Sequence, residues 1–180
     1  MKICIYGASS DKIPEQYLAA AYKFGRELAK NGHSLVFGGG NSGVMGRAVR
    51  GVKAEGGYSI GIAPTFFDVD DILYKECDEF IYTETMRERK ALLEEHADAF
   101  AVLPGGIGTY EEFFETLVLC QLGQLDKPIA IYNVDGCYSN LEALLKGTVT
   151  EGFMPEKCLG LCRFCTSAEE IFDYFNESVR

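Results

Sequence analysis

The run Pro104-Gly105-Gly106-Ile107-Gly108-Thr109-Tyr110-Glu111-Glu112 carries the most specific pattern in the chain. Glycines at this density free several backbone N–H groups to point at one ligand. A helix beginning near Thr109 adds its positive end, so the ligand suited to the turn is an anion. Thr109 is placed to cap that helix or to donate its hydroxyl to a phosphate oxygen. Glu112 follows within the first turn and brings a carboxylate to the same space. Two readings fit it: a site carboxylate, or the acid of a Thr109–Glu112 capping box. Arg89 and Lys90 close the mixed-charge run Met86-Arg87-Glu88-Arg89-Lys90. They read either as a solvated helix face or as cations for the anion.

A second glycine turn, Gly38-Gly39-Gly40-Asn41-Ser42-Gly43, formally matches the dinucleotide fingerprint Gly-x-Gly-x-x-Gly. It follows the second strand rather than the first, and no acid ends the next strand before Asp68, so a NAD(P) site lacks its usual context. A phosphate- or nucleotide-binding turn of another kind and a tight turn with glycines used for packing both remain. Gly7-Ala8-Ser9-Ser10 ends the first strand in the same manner. His33 and His96 show no partner pattern, and no Gly-x-Ser-x-Gly elbow supports a Ser-His-Asp hydrolase. Cys158-x-x-x-Cys162-x-x-Cys165 has the spacing of an iron–sulfur motif. Only one helix follows it, and on an extended strand Cys162 and Cys165 face opposite ways. The three are read as small apolar residues, with a structural zinc site as the alternative; the expectation is no metal and no cofactor.

The elements that must position these residues alternate strictly. Strands are predicted at 2–8, 34–37, 58–63, 80–83, 99–103, 128–134 and 161–166. Helices are predicted at 14–31, 44–55, 84–96, 110–122, 138–148 and 167–177, with 65–76 left as an Asp-rich loop. Leu18, Ala21, Tyr22, Gly25, Leu28 and Ala29 mark the buried face of the first helix, and Ser167 caps the last in a capping box with Glu170. Strand–helix alternation implies an α/β fold: a Rossmann-like, doubly wound three-layer sandwich on a mostly parallel sheet, forming one nucleotide-binding domain over 1–180. Ligands of such sheets bind beyond the carboxyl ends of the strands, where the strand order reverses. All three glycine turns lie on that edge.

The chain has 180 residues, 47% of them hydrophobic and 24% charged, with a net charge of -10. That balance argues against nucleic-acid and anionic-membrane partners, which need a basic footprint. The acids Glu15, Glu27, Asp68, Asp70, Asp71, Glu169, Glu170 and Asp173 fall mostly outside the proposed pocket. An odd seven cysteines, no leader-like start and no apolar run near the roughly 18 residues of a membrane helix suggest a cytoplasmic protein. Cys4 and Cys120 sit in apolar surroundings and are read as core.

Taken together, Gly38-Gly39-Gly40 with Gly43-Val44-Met45-Gly46, Met86-x-x-Arg89-Lys90, Pro104-Gly105-Gly106-x-Gly108-Thr109-x-x-Glu112, Gln121-Leu122-Gly123, Lys127-Pro128 and Asn133-Val134-Asp135-Gly136-x-Tyr138 resemble the signatures of the Lonely Guy (LOG) family. These are cytokinin riboside 5'-monophosphate phosphoribohydrolases, many of them once labelled lysine decarboxylases. The resemblance implies hydrolysis of the N-glycosidic bond of a nucleoside 5'-monophosphate, AMP or a modified AMP, to free base and ribose 5-phosphate. It implies Arg89 and Glu112 as catalytic residues. Ser10, Gly39, Gly40, Gly43, Met86, Lys90, Gly105, Gly106, Ile107, Gly108 and Thr109 are implied as the substrate- and phosphate-binding set. It also implies a homodimer joined by helices near the site. The apolar helix 113–122 is the candidate surface, and burial of that helix on the sheet is the competing reading. Ile107 and Val118 depart from plant members, where an aromatic and a Thr are common, and both are expected in the base pocket. A non-catalytic carrier of a nucleotide or of molybdenum cofactor on the same fold is the second functional expectation.

Overall fold

A computed structural model describes residues 1–69 and 72–178. Seven strands form one sheet in which every pairing is parallel: β1 (Lys2–Tyr6), β2 (Ser34–Phe37), β3 (Ser59–Pro64), β4 (Glu79–Thr83), β5 (Ala99–Val102), β6 (Ile129–Tyr132) and β7 (Cys162–Cys165). Their order is β4-β3-β2-β1-β5-β6-β7. The chain winds outward from β1 to β4, then returns to the other side of β1 and winds outward again. The order therefore reverses between β1 and β5, where Ile3 pairs with Ala99 and Tyr6 with Val102. The connections after these two strands must diverge, which opens a crevice at their carboxyl ends.

Helices α1 (Glu15–Lys30), α2 (Gly43–Ala54) and α6 (Ala168–Ser178) cover one face. Helices α3 (Met86–His96), α4 (Ile107–Gln121) and α5 (Ser139–Thr150) cover the other. Strand side chains alternate between the two cores: Ile3 and Ile5 pack with Phe24 and Val52, whereas Cys4 and Tyr6 pack with Phe113 and Leu141. The predicted boundaries lie within three residues of the observed ones, and β2 matches at both ends. On α1 the buried face is Leu18, Ala21, Phe24, Gly25 and Leu28, with Tyr22 outside it. The cause is the contact with α2: a Cβ on Gly51 would lie 2.2 Å from the Tyr22 carbonyl, and one on Gly25 would lie 2.0 Å from the Ala48 carbonyl. Backbones that close leave no room for the Tyr22 ring between them.

The cysteine-rich end is apolar packing. Cys158 and Cys162 are buried, Cys165 lies on the opposite face of β7 from Cys162, and all are free thiols. Burial pushes the Cys162 thiol up to about 12 and the Cys165 thiol up to about 11. Among the described residues no group of metal-ligating side chains converges. Cys4 is buried in the core, while Cys120 is partly exposed. Ser167 accepts a hydrogen bond from the Glu170 N–H at 3.2 Å, as the capping pattern predicts. Asp70 and Asp71 lie outside the described residues. No described helix is long and apolar enough to cross a membrane.

Candidate active site

The turns after β1, β2 and β5 meet over the crevice and enclose a cavity of about 750 Å³. Its far wall comes from a segment that is a loop in the sequence reading. Asn41 N–H donates to the Ile72 carbonyl at 2.9 Å and Tyr74 N–H to the Gly39 carbonyl at 2.8 Å, with an antiparallel bridge between Gly40 and Leu73. This pairing lays Ile72 and Leu73 over the second glycine turn. Ile13, Met45 and Phe67 join them, giving the cavity an apolar end.

The polar side chains of the lining stand mostly on two helices. Helix α3 carries Met86 and Arg89 into the cavity, and α4 carries Ile107, Gly108, Thr109 and Glu112. Arg89 is 6% exposed, and its Nη1 donates to Glu112 Oε1 at 2.6 Å. The Glu112 side chain is 13% exposed. Burial pushes the Glu112 carboxyl above the ordinary glutamate range, and the Arg89 guanidinium pulls it back part of the way. The Arg89 Nε has no hydrogen-bond partner among the described residues. Arg89 keeps this pose because residue 38 is glycine: a Cβ there would lie 1.9 Å from Nη2. Behind Glu112, Thr116 Oγ1 donates to the Glu112 carbonyl at 2.9 Å and sits 2.9 Å from the buried Tyr6 hydroxyl. The carboxylate is thus tied to β1 through its own helix.

Helix α4 begins three residues earlier than predicted. Gly106 is the N-cap, and the Tyr110 N–H already bonds the Gly106 carbonyl at 3.0 Å. Thr109 therefore lies inside the first turn, buried against Gly105, whose Cβ would meet its Oγ1 at 2.1 Å. The Thr109–Glu112 capping box does not form, and the Glu112 carboxylate serves Arg89 instead. No side chain caps α4, so its first N–H groups lack an intrahelical acceptor at the cavity edge. The N-terminus of α2 differs: the Gly43 N–H donates to Asp11 Oδ1 at 2.9 Å. Of the three helix starts at the cavity, α2 holds a carboxylate of its own chain, α3 is capped by Thr85, and α4 has no side-chain cap.

Nine of the sequence-predicted residues line the cavity: Ser10, Gly40, Met86, Arg89, Gly106, Ile107, Gly108, Thr109 and Glu112. The other four lie behind it or away from it. Gly39 adopts φ 76° to make the turn, and Gly43 adopts φ 63° against the Ala8 carbonyl. Gly105 is the seat of Thr109. Lys90 points away and pairs with Glu111 and Glu115, both at 2.5 Å, which raises its pKa. Val118 does not line the cavity; it is 48% exposed on the outer side of α4, and Ile107 is 88% exposed at the cavity mouth. Phe113 and Leu117 of the same helix are buried on the sheet. None of Glu15, Glu27, Asp68, Glu169, Glu170 and Asp173 lines the cavity.

Asp11, the contact of Gly38 with Arg89 and the wall formed by Ile13, Phe67, Ile72 and Leu73 are the functional features that no sequence pattern identifies. Their partners lie 30 or more residues away in most cases, and no local pattern announces them. The exception is the start of α3. Thr85 and Glu88 form a capping box, with the Glu88 N–H to Thr85 Oγ1 at 3.2 Å, and Thr-x-x-Glu is readable from the sequence.

A family model described as "Possible lysine decarboxylase" matches residues 45–175. A probable cytokinin riboside 5'-monophosphate phosphoribohydrolase of Oryza sativa subsp. japonica is 38% identical over 154 residues, covering 86% of this chain and 68% of the relative. A cytokinin riboside 5'-monophosphate phosphoribohydrolase of Arabidopsis thaliana is 35% identical over 176 residues, covering 98% and 82%. Among solved structures, the molybdenum cofactor carrier protein of Chlamydomonas reinhardtii superposes with a TM-score of 0.73 at 21% identity, covering 99% of this chain and 97% of the carrier. The molybdenum cofactor binding protein of Rippkaea orientalis gives 0.70 at 20% identity, covering 99% and 96%. At that identity the two structures share the fold with this chain.

Proposed function

The chain belongs to the LOG family, whose members match it over most of its length, and from that premise we propose that it hydrolyses the N-glycosidic bond of a nucleoside 5'-monophosphate to free base and ribose 5-phosphate. The observation that carries this reading is the buried Arg89–Glu112 pair beside the uncapped first turn of α4. The 5'-phosphate sits on the α4 N–H groups of Gly108 and Thr109, where the helix end favours an anion. The ribose then lies over Glu112, and the base reaches the apolar end formed by Met45, Phe67, Ile72 and Leu73. That end accepts adenine with or without an apolar substituent, so AMP and isopentenyladenosine monophosphate are the substrates to compare.

Breaking the glycosidic bond develops positive charge on the ribose. A carboxylate held close in a desolvated site stabilises that charge without reorganising. The Arg89 guanidinium favours the Glu112 anion against the burial that opposes it, and the oxygen that Arg89 does not take is placed to orient the attacking water and to take its proton, which ends on the nitrogen of the departing base. The fixed phosphate lends its binding energy to orientation at the reacting bond.

The decarboxylase label implies pyridoxal phosphate, which needs a lysine for its Schiff base. No described lysine lines the cavity, and Lys90 is turned away between two glutamates. The residues present do not fit that cofactor.

We also propose a homodimer across α4, whose outer side exposes Val118 and Leu122. Light scattering should give twice the chain mass, and Val118→Glu should shift it toward the monomer; an unchanged monomeric mass in the wild type would exclude the interface. Chromatography of the two nucleotides after incubation with enzyme tests the reaction itself. Free adenine or isopentenyladenine with ribose 5-phosphate is expected. Tight binding with intact nucleotide would point to a carrier instead.

A further inference from the structure

The motif Asn133-Val134-Asp135-Gly136-Cys137-Tyr138 contributes nothing to the cavity wall, yet it ends directly behind the glycine turn. Asp135 adopts the left-handed conformation at φ 48°, which Asp tolerates better than most side chains, and Gly136 follows at φ 76°. The tight turn brings the Tyr138 N–H onto Asn133 Oδ1 at 2.7 Å. The Tyr138 side chain then runs inward, 1% exposed, and its hydroxyl donates to the Leu103 carbonyl at 2.8 Å. That oxygen thus holds the chain at the residue before Pro104. The ring also meets Tyr110, in the first turns of α4, edge-on at 5.8 Å between centroids.

We propose that Tyr138 is a positioning residue for the phosphate: its hydroxyl fixes the chain at Leu103, where the glycine turn begins, and its ring meets Tyr110 on the helix that follows, so that the first N–H groups of α4 converge on the cavity. This rests on the reading of that turn as the phosphate seat. Two further bonds hold the turn from the β1 side, Leu103 N–H to the Tyr6 carbonyl at 2.8 Å and Ala8 N–H to the Pro104 carbonyl at 3.1 Å. Tyr138 supplies the brace from the β6 side. Burial raises the phenol far above its ordinary range, so it remains a donor at every working pH. Without the hydroxyl, the Leu103 carbonyl would be buried and unpaired, and the turn would relax toward another partner.

A tyrosine that merely fills the core differs from this one in a measurable way, because phenylalanine would fill the core equally well. The experiment compares wild type with Tyr138→Phe, measuring the Kd for ribose 5-phosphate by calorimetry, KM and kcat with AMP, and the melting temperature. The expected result is a Kd and a KM both raised by about tenfold, the weight of one buried hydrogen bond, with kcat changed less than about threefold. An unchanged Kd, or a lower melting temperature alone, would overturn the positioning role while leaving the site assignment intact. Failure of the wild type itself to bind ribose 5-phosphate would overturn the phosphate seat and this proposal with it. If Tyr138→Phe does not fold, Asn133→Ala, which frees the Tyr138 N–H and leaves the hydroxyl, is read by the same Kd with the same direction expected.

Discussion

At the residue scale the site depends on two opposing influences on one carboxylate. Burial disfavours the Glu112 anion, and the Arg89 guanidinium 2.6 Å away favours it, with burial the larger. The carboxyl therefore protonates at a higher pH than an ordinary glutamate, whose pKa is about 4.3. With the anion as the active form, the acid limb of kcat/KM lies above that value, and activity falls as pH drops through it. Gly38 sets how far. An alanine there would place a methyl group 1.9 Å from Arg89 Nη2 and push the guanidinium off Glu112. Lys90 and Glu111 are the other charged influences on this carboxyl, and Cys4 and Tyr6 lie beneath the pair. Gly38→Ala should move the acid limb of a pH–rate profile further upward and lower kcat by at least about tenfold. A profile that keeps its acid limb would show that Arg89 does not govern Glu112. The sequence makes Glu112 conspicuous but leaves it divided between cap and site. What decides between them is the start of α4 three residues early, and Arg89, 23 positions away in the chain.

At the element scale the decisive contrast is between two helix N-termini. The Gly-x-Gly-x-x-Gly string at α2 looks like an anion seat, but Asp11 already occupies it, whereas the end of α4 has no cap. Removing the Asp11 carboxylate orphans the Gly43 N–H and loses a favourable charge at a helix start, worth roughly 0.5–1 kcal/mol. Asp11→Ala should lower the unfolding free energy by about that amount in a denaturant titration, and no change would mean that the α2 end is satisfied by water alone. Strand and helix identities are legible because each rests on local periodicity and on turn residues a few positions apart. Asp11 and Gly43 are 32 positions apart, and Leu73 reaches Gly40 across 33, so neither the occupied α2 end nor the apolar wall is written in any local pattern. Within 65–76, a single 3-10 turn at Thr65–Phe67 and the pairing of residues 72–74 with a glycine turn are all that the described residues form, and neither needs a hydrophobic period.

At the scale of the molecule, the strand order places the crevice between β1 and β5, and every group argued to act on substrate stands on that edge. Of the charged residues behind the net charge of -10, Arg89 and Glu112 are the ones that line the cavity among the described residues. The cavity meets an anion with backbone N–H groups and one arginine, while its one deeply set carboxylate faces the place where positive charge would develop. The central claim is that Glu112 breaks a glycosidic bond, and the most direct measurement is the rate of base release from AMP and isopentenyladenosine monophosphate by wild type and by Glu112→Gln. Glutamine keeps the size of the side chain and can still accept from Arg89, so folding is checked by an unchanged circular dichroism spectrum. Free base is expected with the wild type, and release at least about a hundredfold slower with the variant. Intact nucleotides with both proteins, or equal rates of release from both, would contradict it.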